Sequence, residues 1–388
     1  MAKRTPSKSA RKKPSEVRPE GAAVEGDHLP PGEAMTDLAQ ILGQPRAVDT
    51  LNRAMSSGRL HHAWLFSGPM GVGKRSAAEA LSAMALDPTL DRGLTGGVAA
   101  AEGSRVSGLA RSRSHPDIRL VNKELSRFSE KQSVRGQKQR NIPVEVVRER
   151  VVNPAGLAPA ESPEGGWGGS LARKSIIIDE AELLDDTAQN TLLKTLEEPP
   201  EGTMLILVTS RERRLLPTVR SRCHRVGFGP LGREAMGSWV SSRGFDLSAE
   251  DRDWLLWFSD GSPGRFSRAV ETGIAAWRGA LEPGLDELER GGFPAWLAPA
   301  MAEAVDGWAK AWVKTRPLAS KEAANQAAMG EVLTLVSLRA RDRLRSGDAA
   351  GARRAAGVIE AVRRAEEAAA RSVNLSFVFE ELAGALAS

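Results

Sequence analysis

Two stretches of this 388-residue chain carry residue types at spacings suited to phosphate chemistry. The first is Gly68-Pro69-Met70-Gly71-Val72-Gly73-Lys74-Arg75, set between an apolar run, Ala63-Trp64-Leu65-Phe66, and a helical stretch from Lys74 to Leu86. Gly68, Gly71 and Gly73 let backbone N–H groups turn inward toward phosphate oxygens. The helix N-terminus adds partial positive charge, and Lys74 has the reach to pair with β- and γ-phosphates. The second stretch is Ile176-Ile177-Ile178-Asp179-Glu180, a Walker B pattern. A buried strand there delivers Asp179 to a metal ion and Glu180 to a water. The plainer readings are a glycine-rich turn and a strand capped by two surface acids. The spacing of the two stretches favours an ancestral nucleotide site.

One position breaks the pattern. A phosphate loop follows its lysine with Ser or Thr, whose hydroxyl ligates Mg²⁺. Here the residue is Arg75. Ser76 is a poor substitute, because one helical step turns a side chain by about 100°. The loop is therefore expected to hold ATP and Mg²⁺ weakly or not at all.

Three further residues have two readings each. Thr209, ending the next strand, either polarises the same water or is an ordinary strand-end hydroxyl. Arg222, in Ser221-Arg222-Cys223, follows a short helix after Pro217, where the macrodipole favours a cation. Arg265, in Gly261-Ser262-Pro263-Gly264-Arg265, either reaches back to a γ-phosphate or is a helix-start surface charge. Cys223 begins a buried strand and reads as packing, not as a nucleophile.

These candidates need a scaffold, and periodicity supplies one. Residues 1–35 are rich in Pro, Gly and charge and read as a disordered basic tail, with the fold beginning near Asp37. Residues 36–229 alternate strands and helices. Strands are expected at 63–66, 117–121, 175–178, 204–208 and 224–228, and helices at 74–86 and 187–196. This alternation implies an α/β domain with a doubly wound parallel sheet. Residues 87–114 read as a loop, and 123–141 as a mobile basic insertion. Residues 230–275 read as three short helices forming a small lid domain. Residues 276–388, rich in Ala, Leu, Arg and Glu, read as a helical bundle.

Composition narrows the class. No apolar run approaches the ~20 residues of a membrane span, and no apolar segment follows the basic N-terminus as a secretory signal would require. One cysteine excludes an internal disulfide or a multi-cysteine zinc site. A reducing cytoplasm is the expected location. The net charge of +5 hides two basic blocks, each of net +6, at residues 1–18 and 111–140. The rest of the chain is mildly acidic. Such blocks are read either as solvated surface or as contacts for nucleic acid or acidic partners.

Taken together, these motifs resemble the clamp-loader branch of the AAA+ family. The stretch from Ile176 through Asn190-Thr-Leu-Leu-Lys-Thr-Leu-Glu-Glu-Pro-Pro200 carries the resemblance, with Leu60-His-His-Ala-Trp-Leu-Phe-Ser-Gly-Pro, Ser221-Arg222-Cys223 and Gly261-Ser-Pro-Gly-Arg265. Within that branch, Ser114-His115-Pro116-Asp117, Leu215-Leu-Pro-Thr-Val-Arg-Ser-Arg-Cys223 and the missing hydroxyl after Lys74 look like the delta-prime type of subunit. That type usually carries a four-cysteine zinc module, and the absence of cysteine from residues 87–114 leaves no zinc expected here.

The resemblance implies a subunit of the DNA polymerase III clamp loader with no polymerase active site of its own. Its partners would be gamma/tau and delta subunits, the sliding clamp and, within the assembly, primed DNA. The C-terminal bundle would be the oligomerising collar. Arg222 would act in trans on a neighbour's ATP. Two rivals stand beside this reading. One is an ATP-hydrolysing subunit of the gamma/tau type, which Lys74, Asp179 and Glu180 favour and Arg75 opposes. The other is a basic DNA-binding module, with an affinity that salt would weaken steeply.

Overall fold

The computed structural model describes residues 33–92, 98–101, 103–135, 141–160, 170–315, 320–345, 349–370 and 375–387. Five strands form a wholly parallel sheet: β1 (Ala63–Ser67), β2 (Ile118–Val121), β3 (Lys174–Ile178), β4 (Thr203–Thr209) and β5 (His224–Gly227), in the order β2-β3-β4-β1-β5. Side chains alternate between two cores, as the pleat requires. Trp64, Phe66, Ile177, Met204, Ile206 and Val208 point to one face, and Ala63, Leu65, Ile176, Ile178, Leu205 and Leu207 to the other. The doubly wound parallel sheet expected from the sequence is present.

On the first face lie α1 (Pro45–Ser56) and α2 (Lys74–Leu86). Pro45 opens α1 at a position where no N–H is needed. Ser82 on α2 meets Ser175 on β3 at 2.7 Å, one buried hydroxyl satisfying the other. On the second face lie α3 (Asp186–Glu197), the helical segment 144–155 and the short α4 (Pro217–Arg220). Asp185 caps α3 by accepting the Ala188 N–H at 2.7 Å.

Three lid helices follow: α5 (Arg233–Arg243), α6 (Ala249–Ser259) and α7 (Pro263–Glu271). The C-terminal bundle holds α8 (Trp277–Glu289), α9 (Leu297–Thr315), α10 (Lys321–Arg345), α11 (Ala349–Ala370) and α12 (Leu375–Ala387). Lid and bundle share one apolar core with the first sheet face, through Phe258, Phe266, Leu281 and Val332. Ionic and polar links run within the bundle and between bundle and lid. Arg339 of α10 pairs with Asp286 and Glu289 of α8, Arg341 pairs with Asp260, and the Trp257 indole donates to Asp342. Among the described residues, no helix is long and apolar enough to cross a membrane.

Several local expectations need correction. The stretch read as a loop, 87–114, contains a two-residue ribbon, Asp91–Arg92 with Val98–Ala99, and a helix, Arg105–Arg111. That helix packs because Val106 and Ala110 face inward and because Arg113 pairs with the buried Glu79 of α2. The stretch read as a mobile insertion, 123–141, is ordered in its first part, as a 3-10 turn at Lys123–Phe128 and a helical turn at Gln132–Arg135. Leu125 and Val134 are buried there, and the Glu149 carboxylate accepts from Ser129 Oγ and the Glu130 N–H. Its charges face outward while its few apolar residues anchor it. Residues 136–140 lie outside the described residues, as do 1–32 of the expected tail. The fold begins before Asp37: Ala34 is buried, and its N–H satisfies the Arg111 carbonyl at the end of the Arg105–Arg111 helix. After Asp37 comes a single 3-10 turn, Leu38–Gln40, separated from α1 by Gly43.

The lid meets the sheet domain through a backbone contact that only glycine permits. The Gly264 N–H donates to the Gly71 carbonyl at 2.9 Å, and a Cβ on Gly264 would lie 2.7 Å from the Gly71 Cα. Gly264→Ala therefore forces the lid off the loop and should cost about 1–3 kcal/mol as an overpacking substitution, although alanine favours a helix by about 1 kcal/mol. Equilibrium denaturation measures this. An unchanged or raised stability would mean that the lid does not rest on the loop.

Candidate functional site

The sequence candidates Lys74, Asp179 and Thr209 converge at the carboxyl edge of the sheet, where β1, β3 and β4 end. That edge is where open parallel sheets bind ligands, at the point where strand order reverses. The loop between β1 and α2 is held from three sides. Gly68 has φ of +150°, and a Cβ there would lie 2.1 Å from the Phe228 carbonyl oxygen, so β5 closes against it. Gln44, buried before α1, donates to the carbonyls of Val72 (3.2 Å) and Gly229 (2.7 Å) and accepts the Gly229 N–H. Ser262 caps α7 by accepting the Arg265 N–H at 3.1 Å, and it donates to the Met70 carbonyl at 2.8 Å.

Within this cradle the charged groups bond to one another. Lys74 Nζ donates to the Gly68 carbonyl at 2.7 Å and to that of Pro69. Burial pushes its ammonium down from 10.5 to about 8, against the pull of Glu182 and Asp179. Arg75 Nη1 lies 3.2 Å from Asp179 Oδ2, and its buried Nε has no partner among the described residues. Glu180, in the left-handed region at φ 54°, pairs with Lys123 at 3.0 Å. The insertion thus supplies the cation facing the second Walker B acid. These donors do not fit Mg²⁺. The position after the lysine carries no oxygen, and the Asp179 carboxylate already holds a guanidinium.

Thr209 is 1% exposed, and its Oγ1 accepts the Arg211 N–H at 3.0 Å. Arg265 turns away from the loop. It lies 3.5 Å from the carboxylate of the buried Glu331 on α10, which also pairs with Arg268 at 3.4 Å. Gly73, at φ +97°, opens α2 and has open space around its Cα.

Arg222 lies at a separate place, on the second sheet face beyond α4. Its Nη2 is 2.6 Å from Glu197 Oε1 at the end of α3, and its Nη1 donates to the Thr218 carbonyl at 2.9 Å. Its side chain is 36% exposed. Gln189 fixes the approach to α4. It is 1% exposed, donates to the carbonyls of Leu184 and Arg214, and accepts the Leu216 N–H at 2.7 Å. Cys223 is buried, and desolvation pushes its thiol up to about 12, as suits packing. Sequence reasoning missed Gln44, Gln189, Lys123 and Glu331. Each acts through a partner distant in sequence, and none carries a local signal.

The lysine gives a pH test. The unfolded chain holds this proton until about pH 10.5, whereas the fold releases it near 8. Burial of the charge therefore destabilises the parent fully below pH 8, and the parent recovers as pH rises through that window. The stability difference between Lys74→Met and the parent should shift in the parent's favour from pH 8 to 10.5. Denaturation midpoints of the two proteins at matched pH check this. A difference that stays constant with pH would place the lysine in solvent.

Comparison with known proteins adds the family. The model for "DNA polymerase III, delta subunit" matches residues 43–232. DNA polymerase III subunit delta' of Pseudomonas aeruginosa is 31% identical over 227 residues, 58% of this chain and 61% of that protein. The delta' subunit of Bacillus subtilis is 32% identical over 193 residues, 50% of each chain. DNA polymerase III subunit gamma/tau of Mycobacterium tuberculosis is 31% identical over 199 residues, 51% of this chain and 30% of that protein. Among solved structures, a gamma subunit-related protein of Thermotoga maritima aligns with 87% of this chain and 97% of its own, at 15% identity and a TM-score of 0.39. This chain thus spans 61% and 50% of the two delta' relatives. Over residues 43–232 it is similar to the delta', gamma and tau subunits of DNA polymerase III.

Proposed function

We propose that this chain is the delta-prime-type subunit of a clamp loader, which helps to place a sliding clamp on primed DNA and does not itself hydrolyse ATP. Its partners in this reading are gamma/tau and delta subunits, joined through the α8–α12 collar. The single observation that carries it is the Arg75–Asp179 pair, a guanidinium lying against the carboxylate that would hold Mg²⁺. Similarity alone does not separate delta' from gamma/tau, since relatives of both kinds match at about 31% identity. The pair favours delta'. Lys74 turned onto its own loop and Arg265 turned toward Glu331 favour it further.

What remains for this subunit is Arg222. A guanidinium is always charged and spans two phosphate oxygens, whereas lysine offers a point charge. Delivered to a neighbour's ATP, it stabilises charge developing on the transferred phosphoryl group. Arginines acting this way contribute on the order of 10³–10⁵ in GTPases.

Two measurements test the reading. The isolated chain should show no Mg²⁺-dependent ATP turnover, and Arg75→Thr should raise its affinity for a fluorescent ATP analogue in the presence of Mg²⁺. Turnover by the parent that vanishes in Lys74→Ala would instead identify a gamma/tau-type ATPase. In a reconstituted complex, Arg222→Ala should lower clamp- and DNA-stimulated hydrolysis at least tenfold while gel filtration shows intact assembly, and Arg222→Lys should recover only part of the loss. An unchanged rate in an intact complex would leave Arg222 as a helix-end cation.

A further inference from the structure

The guanidinium offered to a neighbour already has a partner in this chain. Glu197 is the last residue of α3, and its carboxylate oxygen lies 2.6 Å from Arg222 Nη2. The Thr218 carbonyl takes a second N–H of the same guanidinium at 2.9 Å. The side chains are 36% and 48% exposed. We infer that Glu197 is a positioning residue that parks Arg222, holding the guanidinium against α3 until a neighbour's phosphate displaces the carboxylate. This inference rests on the trans role of Arg222.

Three features support it. The first is exposure. A pair this open to water adds little to stability, so holding the fold together is a weak reason for it. An open pair is also one that an incoming anion can reach without unfolding anything. The second is competition. A terminal phosphate carries more charge than one carboxylate and offers three acceptor oxygens to the same fork of donors. Exchange therefore runs toward phosphate when one is presented in line, and back toward Glu197 when it leaves.

The third is the rigidity of the parts. Glu197 ends a 12-residue helix capped by Asp185, and His62 bonds the carbonyl of the neighbouring Leu196 at 3.0 Å. The buried Gln189 ties α3 to the approach of α4, fixing the distance between the two elements. The carboxylate and the base of the arginine thus stay in register while only the guanidinium moves. Glu197 has a second effect. When Arg222 leaves it, an uncompensated negative charge faces the docking surface, and this opposes retention of the phosphate after it has been handed over.

Glu197→Gln tests this at two levels. In the isolated chain, the rate at which phenylglyoxal modifies Arg222, followed by peptide mass spectrometry, should rise at least twofold over the parent. In the reconstituted complex, Glu197→Gln should raise ATP hydrolysis without clamp or DNA about two- to tenfold, while the fully stimulated rate stays within twofold. The rise should disappear when Arg222→Ala is combined with it. An unchanged modification rate, an unchanged unstimulated rate, or a rise that survives Arg222→Ala would each overturn the parking role. The trans reading itself fails separately, if Arg222→Ala alone leaves the stimulated rate of an intact complex unchanged.

Discussion

The lid of this protein rests on the phosphate loop through two glycine backbones, Gly71 and Gly264, and much else is set by how closely they approach. The gap leaves no room for a side chain on Gly264. With α7 held there, its cap residue Ser262 serves two structures at once, accepting from its own helix and donating to the Met70 carbonyl. α7 then points Arg265 and Arg268, three residues apart on one face, at Glu331 on α10. Besides their shared apolar core, sheet domain, lid and bundle are tied by this loop-to-helix contact and by one buried carboxylate. Lifting α7 off the loop would leave Glu331 a buried charge without these arginines, which is far more expensive than losing a surface pair.

The charged groups at the carboxyl edge of the sheet pair with one another. Asp179 has Arg75, Glu180 has Lys123, and Lys74 has two loop carbonyls. None of these bonds is strong alone, since the Arg75 and Lys123 pairs are partly exposed. Their effect lies in occupancy. A divalent ion would need to displace a guanidinium from its one carboxylate and would find no hydroxyl at position 75 to replace it.

Much of this scaffold was legible from local pattern. The run Ile176-Ile177-Ile178 marked a strand buried on both faces, the glycines before Lys74 marked the loop, and the proline of Ser262-Pro263-Gly264 marked a helix start. The missing hydroxyl at position 75 was visible too, but not where the arginine would go, because Asp179 is far along the chain and its approach depends on the packing of β1 against β4 and β4 against β3. Gln44, Gln189 and Glu331 were invisible for the same reason. A buried polar side chain takes its meaning from its partners, and composition says nothing about them. The segment 123–135 misled in the other direction. Its charges suggested a solvated insertion, whereas Leu125 and Val134 suffice to seat it on the second core. Lys123, read as one of many surface cations, then arrives beside Glu180.

The same chemical pair, arginine with carboxylate, occurs twice on this domain in different surroundings. Arg75 and Asp179 meet at the carboxyl edge of the sheet, with the carboxylate 17% exposed. Arg222 and Glu197 lie at the ends of two elements on the open side of the sheet, where nothing but the guanidinium needs to move. The two pairs differ in the carboxylate more than in the arginine: Arg75 and Arg222 are 40% and 36% exposed, whereas Asp179 is 17% and Glu197 48% exposed, so water and solutes reach Glu197 more readily.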